Sequence, residues 1–403
     1  MTAEAQQARR PRPALVASTE HLALVRSTLE SKLGLRISKE DIGAAALGLT
    51  RLELCDANGH HIDLLDGLLA EVRRRIAATY GGWVPQLGKD REANTTLAMM
   101  RGGNPKPTST LAPTKASPAE LALLAHSAPA ATATSSVRVG QVDTTLADWT
   151  ATGPDLKAWQ GHARFVRDIV ESTAVGVAVR TESPLNGPDG TGTTWDVATA
   201  IAKLATDGVD ILLLPLACFT ADGQIPLLVE RAIAAVPEST LIIAAAGNQT
   251  LDPFWSALGR GPTNPAWPGA HPRVKAVGVS PTELEPLAAS LTIQPWVDAI
   301  TTKIDFVGRF FDADVIVGEP TDVDDAGDDE DGDQHVPPPV VTFEGSARWR
   351  GTSFCAAYAA GLVAARMLAE PGTSAIEAWD ALLTEESPLQ RPPLVEPSCP
   401  PSP

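Results

Sequence analysis

The sequence predicts a doubly wound α/β domain with a mainly parallel sheet, preceded by a small N-terminal α/β domain and a linker. Three observations carry this. From residue 136 onward, near-continuous apolar runs of strand length alternate with helical patterns, as expected of strands covered on both faces. Residues 14–104 carry a separate pattern. Between them, residues 105–135 are rich in Pro, Ala, Ser and Thr and read as a linker.

The elements follow in order. Residues 1–13 read as a flexible tail. "EHLALVRSTLESKLG" (20–34) has apolar residues at helical spacing and stops at Gly34. "LTRLELCD" (49–56) alternates like a half-buried strand, and "IDLLDGLLAEVRRRI" (62–76) is an amphipathic helix with basic residues in its last turn. The linker holds one short helical piece, "AELALLAH" (119–126). The main domain, 136–388, contributes "VRVGQVD", "AVGVAVR", "VDILLLPLA", "TLIIAAAG" and "VKAVGVS" as strands. "TTWDVATAIAKLATDG" is a helix whose Thr193 and Asp196 resemble a capping box and whose stop is Gly208. "IPLLVERAIAAVP" is another helix, and residues 389–403 form a Pro-rich tail. In such sheets the chemistry belongs at the carboxyl ends of the strands.

Composition narrows the function classes. At 403 residues with 44% hydrophobic content, the chain can bury a sizeable core. A formal charge of −17 argues against a nucleic-acid partner, because phosphate binding needs a basic face. Nine acidic and no basic residues fall in 319–333, which reads as a solvated loop insertion spanning 318–339. It lacks the ligand spacing of a calcium-binding hand. Cys55, Cys218, Cys355 and Cys399 have no CxxC spacing, so neither a zinc site nor a disulfide framework is expected, and no metal or cofactor is implied. With no secretory h-region and no run of eighteen apolar residues, the expectation is a cytoplasmic protein without a membrane span.

Four polar residues punctuate the main domain. Asp143 closes the strand "VGQVD", and His162 opens a helix in "QGHARFVRDIV". Asn248 follows a strand and a glycine in "IIAAAGNQ", where an asparagine tolerates a left-handed turn. Ser353 follows Gly-Thr in "GTSFCAAYAAG", where it could simply cap a helix. Each has an ordinary structural explanation when taken alone.

Together, and in this order, the four stretches resemble the subtilisin-like serine proteases. "VGQVDT" is similar to that family's aspartate strand, "GHARFV" to its histidine helix, "AAAGN" to its oxyanion-asparagine segment and "GTSFCAAYAAG" to its nucleophile helix. "DGTGTTWDVATAIAKLATDGVDILLLPLA" and "NPAWPGAHPRVKAVGVS" agree with further family segments, so the resemblance covers about 137–388. It implies a catalytic Asp143–His162–Ser353 triad and Asn248 in the oxyanion hole. It also implies a primary pocket lined by Leu216, Ala217 and Cys218 on one side and Ala245, Ala246 and Gly247 on the other. The chemistry needs these types: a serine hydroxyl requires a base, histidine has a suitable pKa, and a carboxylate fixes the imidazole tautomer.

The departures are specific. Ala163-Arg164 replace the usual Gly-Thr after the histidine, and Arg167-Asp168 replace a small pair farther on. Asp143-Thr144-Thr145 replaces Asp-x-Gly, Ala357 a proline, and Cys355 an alanine. Pro215-Leu216-Ala217 stands where Ser-Leu-Gly is usual, and the short connection after His162 leaves no room for the family's calcium loop. The expected function is therefore a serine endopeptidase acting on polypeptides, with residues 14–104 as an intramolecular regulator or a partner-binding domain. The alternative is a catalytically inactive binding or scaffold protein on the same fold. A third reading, an esterase or transacylase, lacks the GxSxG elbow at Ser353.

Overall fold

The computed structural model describes residues 12–63, 65–95, 113–117, 119–120, 137–146, 158–187, 190–220, 222–248, 263–279, 294–303, 305–318, 340–384 and 386–392. Nearly all of the expected tail, most of the linker with its short helix, the acidic run and residues 393–403 lie outside them.

The N-terminal unit is richer in strands than its helix–strand–helix reading. Its elements are β1 (Leu15–Ser18), α1 (Leu22–Ser27), β2 (Arg36–Ile42), β3 (Leu49–Cys55), α2 (Leu65–Thr79) and β4 (Leu87–Lys89). The strands form an antiparallel sheet in the order β2-β3-β1-β4. One face packs on the two helices through Leu15, Leu52, Leu54, Leu69, Val72 and Ile76. The opposite face is not solvated: Val16 and Leu49 join the core of the main domain.

Strand β5 (Glu92–Thr95) leaves this sheet. It lies between β9 (Thr191–Thr193) and β11 (Leu216–Ala217), antiparallel to both. The last strand of the N-terminal sheet ends at Lys89. Within the expected linker, β6 (Thr114–Lys115) pairs with the hairpin that precedes the nucleophile motif.

The main sheet runs β17-β14-β13-β12-β10-β7-β8, parallel except for edge strand β17. Its strands are β7 (Arg138–Val142), β8 (Ala178–Glu182), β10 (Ile211–Leu214), β12 (Leu241–Ala245), β13 (Lys275–Val279), β14 (Val297–Thr301) and β17 (Leu389–Gln390), the last drawn from the expected C-terminal tail. The chain runs outward from β7 to β8 and then returns to β7's other flank as β10, so a switch point opens at the carboxyl ends of β7 and β10. Helices α3 (His162–Thr173), α6 (Thr352–Ala369) and α7 (Ala375–Leu382) cover one face; α4 (Thr194–Thr206) and α5 (Leu227–Ala235) cover the other. The hairpin β15 (Asp305–Gly318) and β16 (Val340–Arg350) lies against α3 through Phe306, Phe310 and Trp349.

Local chemistry explains the key helices. Thr193 caps α4 by accepting from Asp196 N at 3.1 Å, but its hydroxyl donates to the Asp196 carboxylate at 2.9 Å, so only half of the expected capping box forms. Among the described residues, α6 alone has the length and apolarity of a membrane span, and it runs through the core. Gly361 lets α6 cross α3 closely: a Cβ there would lie 2.6 Å from Thr173 Cβ.

Candidate active site

The site forms where β7, α3, α6 and the loop after β12 converge. Asp143 follows the last residue of β7 and is fully buried. Its Oδ1 lies 2.7 Å from His162 Nδ1 and accepts from Thr144 N at 2.6 Å, while Oδ2 accepts from Gln141 Nε2 at 2.9 Å. A buried carboxylate needs such donors, because an unmatched one costs several kcal/mol (~2–7) even before its charge is counted.

His162 is the first residue of α3 and is also fully buried. Gly161 before it permits a close approach, since a Cβ there would sit 2.4 Å from the Phe310 ring. Thr144 anchors the helix start by accepting from Ala163 N at 3.2 Å. Thr144, the middle residue of the Asp143-Thr144-Thr145 turn, is therefore a tie between strand end and helix start. Trp349 and Phe354 wall the imidazole, with ring centroids at 5.8 and 5.4 Å, and keep bulk water from this side.

Ser353 is buried in the first turn of α6. It is not the cap: the helix begins at Thr352 and its N-cap is Gly351. The hydroxyl donates to Pro215 O at 3.0 Å, and among the described residues His162 Nε2 has no hydrogen-bond partner. Asn248 is 1% exposed, and its Oδ1 accepts from Thr352 N at 3.0 Å and from Thr352 Oγ1 at 2.9 Å. These bonds fix the amide orientation and put Nδ2 on the Gly351 side, where an added Cβ would lie 3.4 Å from it. In this turn Gly247 takes a positive φ of +97°.

The residues expected to form the pocket are buried and lie at β11 and at the end of β12. Leu216 and Ala217 form β11, which carries β5 along its edge, and Cys218 continues it by exchanging backbone hydrogen bonds with Trp267 at 2.7 and 3.0 Å. Ala245 ends β12. Ala246 O accepts from Trp296 Nε1 at 3.2 Å and Gly247 O from Gln294 Nε2 at 3.0 Å, which hold that loop. Burial pushes the Cys218 and Cys355 thiols up to about 12, so neither is a thiolate nucleophile near neutrality. Among the described residues, no group of three His, Cys, Asp or Glu side chains gathers where a metal could bind.

Sequence reasoning missed Gln141, Thr144, Thr352 and the Trp349–Phe354 wall. One signal was available for Gln141: a lone amide inside the apolar strand "VRVGQVD" must be hydrogen-bonded if buried.

No family model and no curated protein matches the chain. Among solved structures, fervidolysin from Fervidobacterium pennivorans, a keratinolytic enzyme related to subtilisin, is similar at 12% identity and a TM-score of 0.53. The alignment covers 93% of this chain and 57% of fervidolysin. The prenylagaramide maturation protease PagA aligns at 18% identity and a TM-score of 0.38, over 62% of this chain and 82% of its own. The protease domain of PatA aligns at 16% and 0.43, over 62% and 86%. The fold assignment rests on fervidolysin, on the mainly parallel sheet and on the helices covering both its faces: this chain has the doubly wound α/β fold of the subtilisin-like proteins.

Proposed function

We propose that the chain is a serine peptidase acting on polypeptides through Asp143, His162 and Ser353. The observation that carries this reading is the buried Asp143–His162 hydrogen bond of 2.7 Å, with Phe354, the neighbour of Ser353, packed on the same imidazole. In the reaction, Ser353 Oγ attacks the scissile carbonyl and His162 Nε2 takes its proton. The imidazolium then protonates the leaving amine, and water releases the acyl group by the same route. Asp143 holds the imidazole with Nδ1 protonated. The tetrahedral oxyanion is received by Asn248 Nδ2, oriented by Thr352, and by the Ser353 backbone N–H at the positive end of α6. The keratinolytic activity of fervidolysin accords with a peptidase.

A polypeptide substrate is favoured by the manner in which β5 is held. Residues 92–95 lie extended between two short strands, the arrangement by which a peptide adds to an open sheet edge. In our reading the N-terminal domain restrains the site by keeping this strand along Leu216–Ala217. A second reading, an inactive scaffold on the same fold, draws on the Ser353 hydroxyl, which engages Pro215 O rather than His162. Catalytic hydrogen bonds are often loose without substrate, so this geometry does not exclude an enzyme.

The test is fluorophosphonate labelling of the folded chain, beside Ser353→Ala and His162→Ala, with and without residues 1–135. Labelling that both substitutions abolish is the expected result. If the folded chain stays unlabelled in both lengths, the scaffold reading replaces the peptidase.

A further inference from the structure

We propose that Gln141 is a positioning residue for the Asp143–His162 pair; this rests on the peptidase reading above. Side chains two apart on a strand share a face, so Gln141 and Asp143 project together from β7 toward α3. Gln141 is fully buried, and its amide is fully engaged. Nε2 donates to Asp143 Oδ2 at 2.9 Å and to Ala163 O at 3.0 Å, and Oε1 accepts from Thr181 Oγ1 at 3.3 Å. The orientation is unambiguous, because a carboxylate and a carbonyl both require the NH2 end. One amide group thus grips the carboxylate and the backbone of the residue following the histidine.

The division of labour around Asp143 shows why this matters. Oδ1 serves His162 and Thr144 N; among the described residues, the donor to Oδ2 is Gln141. Without it, the carboxylate is held through Oδ1 alone, its rotation about the Cβ–Cγ axis is less restricted, and the imidazole's partner is less firmly fixed. The ring then spends less time with Nε2 toward Ser353, although no atom that meets the substrate has changed.

The charged surroundings are few. On β10 the facing residue is Leu213, and on β8 it is Thr181. Arg180 and Glu182 point to the other face of β8, where they pair with Asp207 and Lys203. On α3, Arg167 pairs with Glu171, and Asp168 accepts from Arg309 N, its carboxyl pushed up by burial although Arg309 and Arg164 lie near it. From α6, the Cys355 thiol stays protonated to about 12. Asp143 and His162 are therefore the groups that a change at Gln141 reaches.

The test compares Gln141→Leu and Gln141→Glu in the full chain by the rate of fluorophosphonate labelling at about pH 6 and about pH 9, with thermal melts to establish folding. Leucine removes the donor at every pH, so labelling is expected to slow by about tenfold to a hundredfold at both, the range for leaving a buried charged acceptor without its donor. Glutamate keeps the shape. While protonated, its O–H can serve Asp143 Oδ2, and once ionised it repels it, because two carboxylates in contact cannot both be charged. The expected result is labelling within about threefold of the wild type at pH 6 and a further drop of about tenfold at pH 9. For the glutamate variant, a purely structural role predicts equal losses at both pH values. The proposal is overturned if folded Gln141→Leu labels at the wild-type rate, or if the glutamate variant shows no pH-dependent loss beyond the wild type's. An unlabelled wild type instead overturns the peptidase reading. The downfield proton resonance of His162 Nδ1–H then still reads the pair: it should broaden or move upfield in Gln141→Leu, and an unchanged resonance sinks the positioning role.

Discussion

Replacing Asp90 by alanine should release β5 from its place between β9 and β11. Asp90 belongs to the N-terminal unit but serves the main domain. Its Oδ1 accepts from Trp195 N at 2.9 Å and Thr194 Oγ1 at 3.1 Å, in the first turn of α4, and its Oδ2 accepts from Arg51 Nε at 2.8 Å. Losing a helix-capping acceptor costs about 1 kcal/mol. Arg51 is not orphaned, because it keeps Glu53 at 2.7 Å, Asp41 at 3.2 Å and Arg12 O at 2.7 Å. Its lost bond therefore adds about 1–2 kcal/mol rather than the larger cost of a stranded buried charge. The sum, about 2–3 kcal/mol, shifts the docking equilibrium by about 30-fold to 150-fold. Hydrogen exchange at the amides of residues 92–95 reads that shift directly, and fluorophosphonate labelling of Ser353 reads its consequence. Asp90→Asn keeps the capping acceptor and loses only the ion pair, so it should fall between wild type and alanine. Exchange that rises while labelling stays flat would refute the idea that β5 restrains the site. If neither changes, the estimate of what Asp90 contributes is wrong.

Three further outcomes are expected. Asn248→Ala, in a chain that labels, should lower peptide turnover by about 10²–10³, the range for losing one oxyanion donor, and steady-state kinetics on a generic peptide checks it. Gly361→Ala sets a methyl 2.6 Å from Thr173 Cβ, so α6 and α3 must separate, and a melt should show a loss of about 1–3 kcal/mol. The native thiols of Cys218 and Cys355 should resist iodoacetamide at neutral pH and react once the chain is unfolded. Their pKa values are raised from 9.0 to about 12, so their stabilisation is complete below about pH 9 and lost as the pH rises through 12, which alkaline melts would register.

The sequence by itself determined the parallel sheet, because strands covered on both faces must be apolar throughout, and "DILLLPLA" and "TLIIAAAG" admit little else. It also located the turn and helix-start positions of Asp143, His162, Asn248 and Ser353, since local backbone geometry is encoded by neighbouring residues. Tertiary structure decided the rest. β3 alternates apolar and polar residues like a strand with one wet face, yet Arg51 and Glu53 are buried: they pair with each other, Arg51 also binds Asp90, and Leu49 on the same face packs into the core of the main domain. "EANT" carries no strong strand signal; it becomes β5 because two distant strands offer it unpaired backbone groups. Gln141 is one polar letter in an apolar run, and its meaning came only when the fold brought Ala163 and Thr181 to the same amide. Periodicity records which way a side chain points, whereas what it meets depends on contacts between residues far apart in sequence.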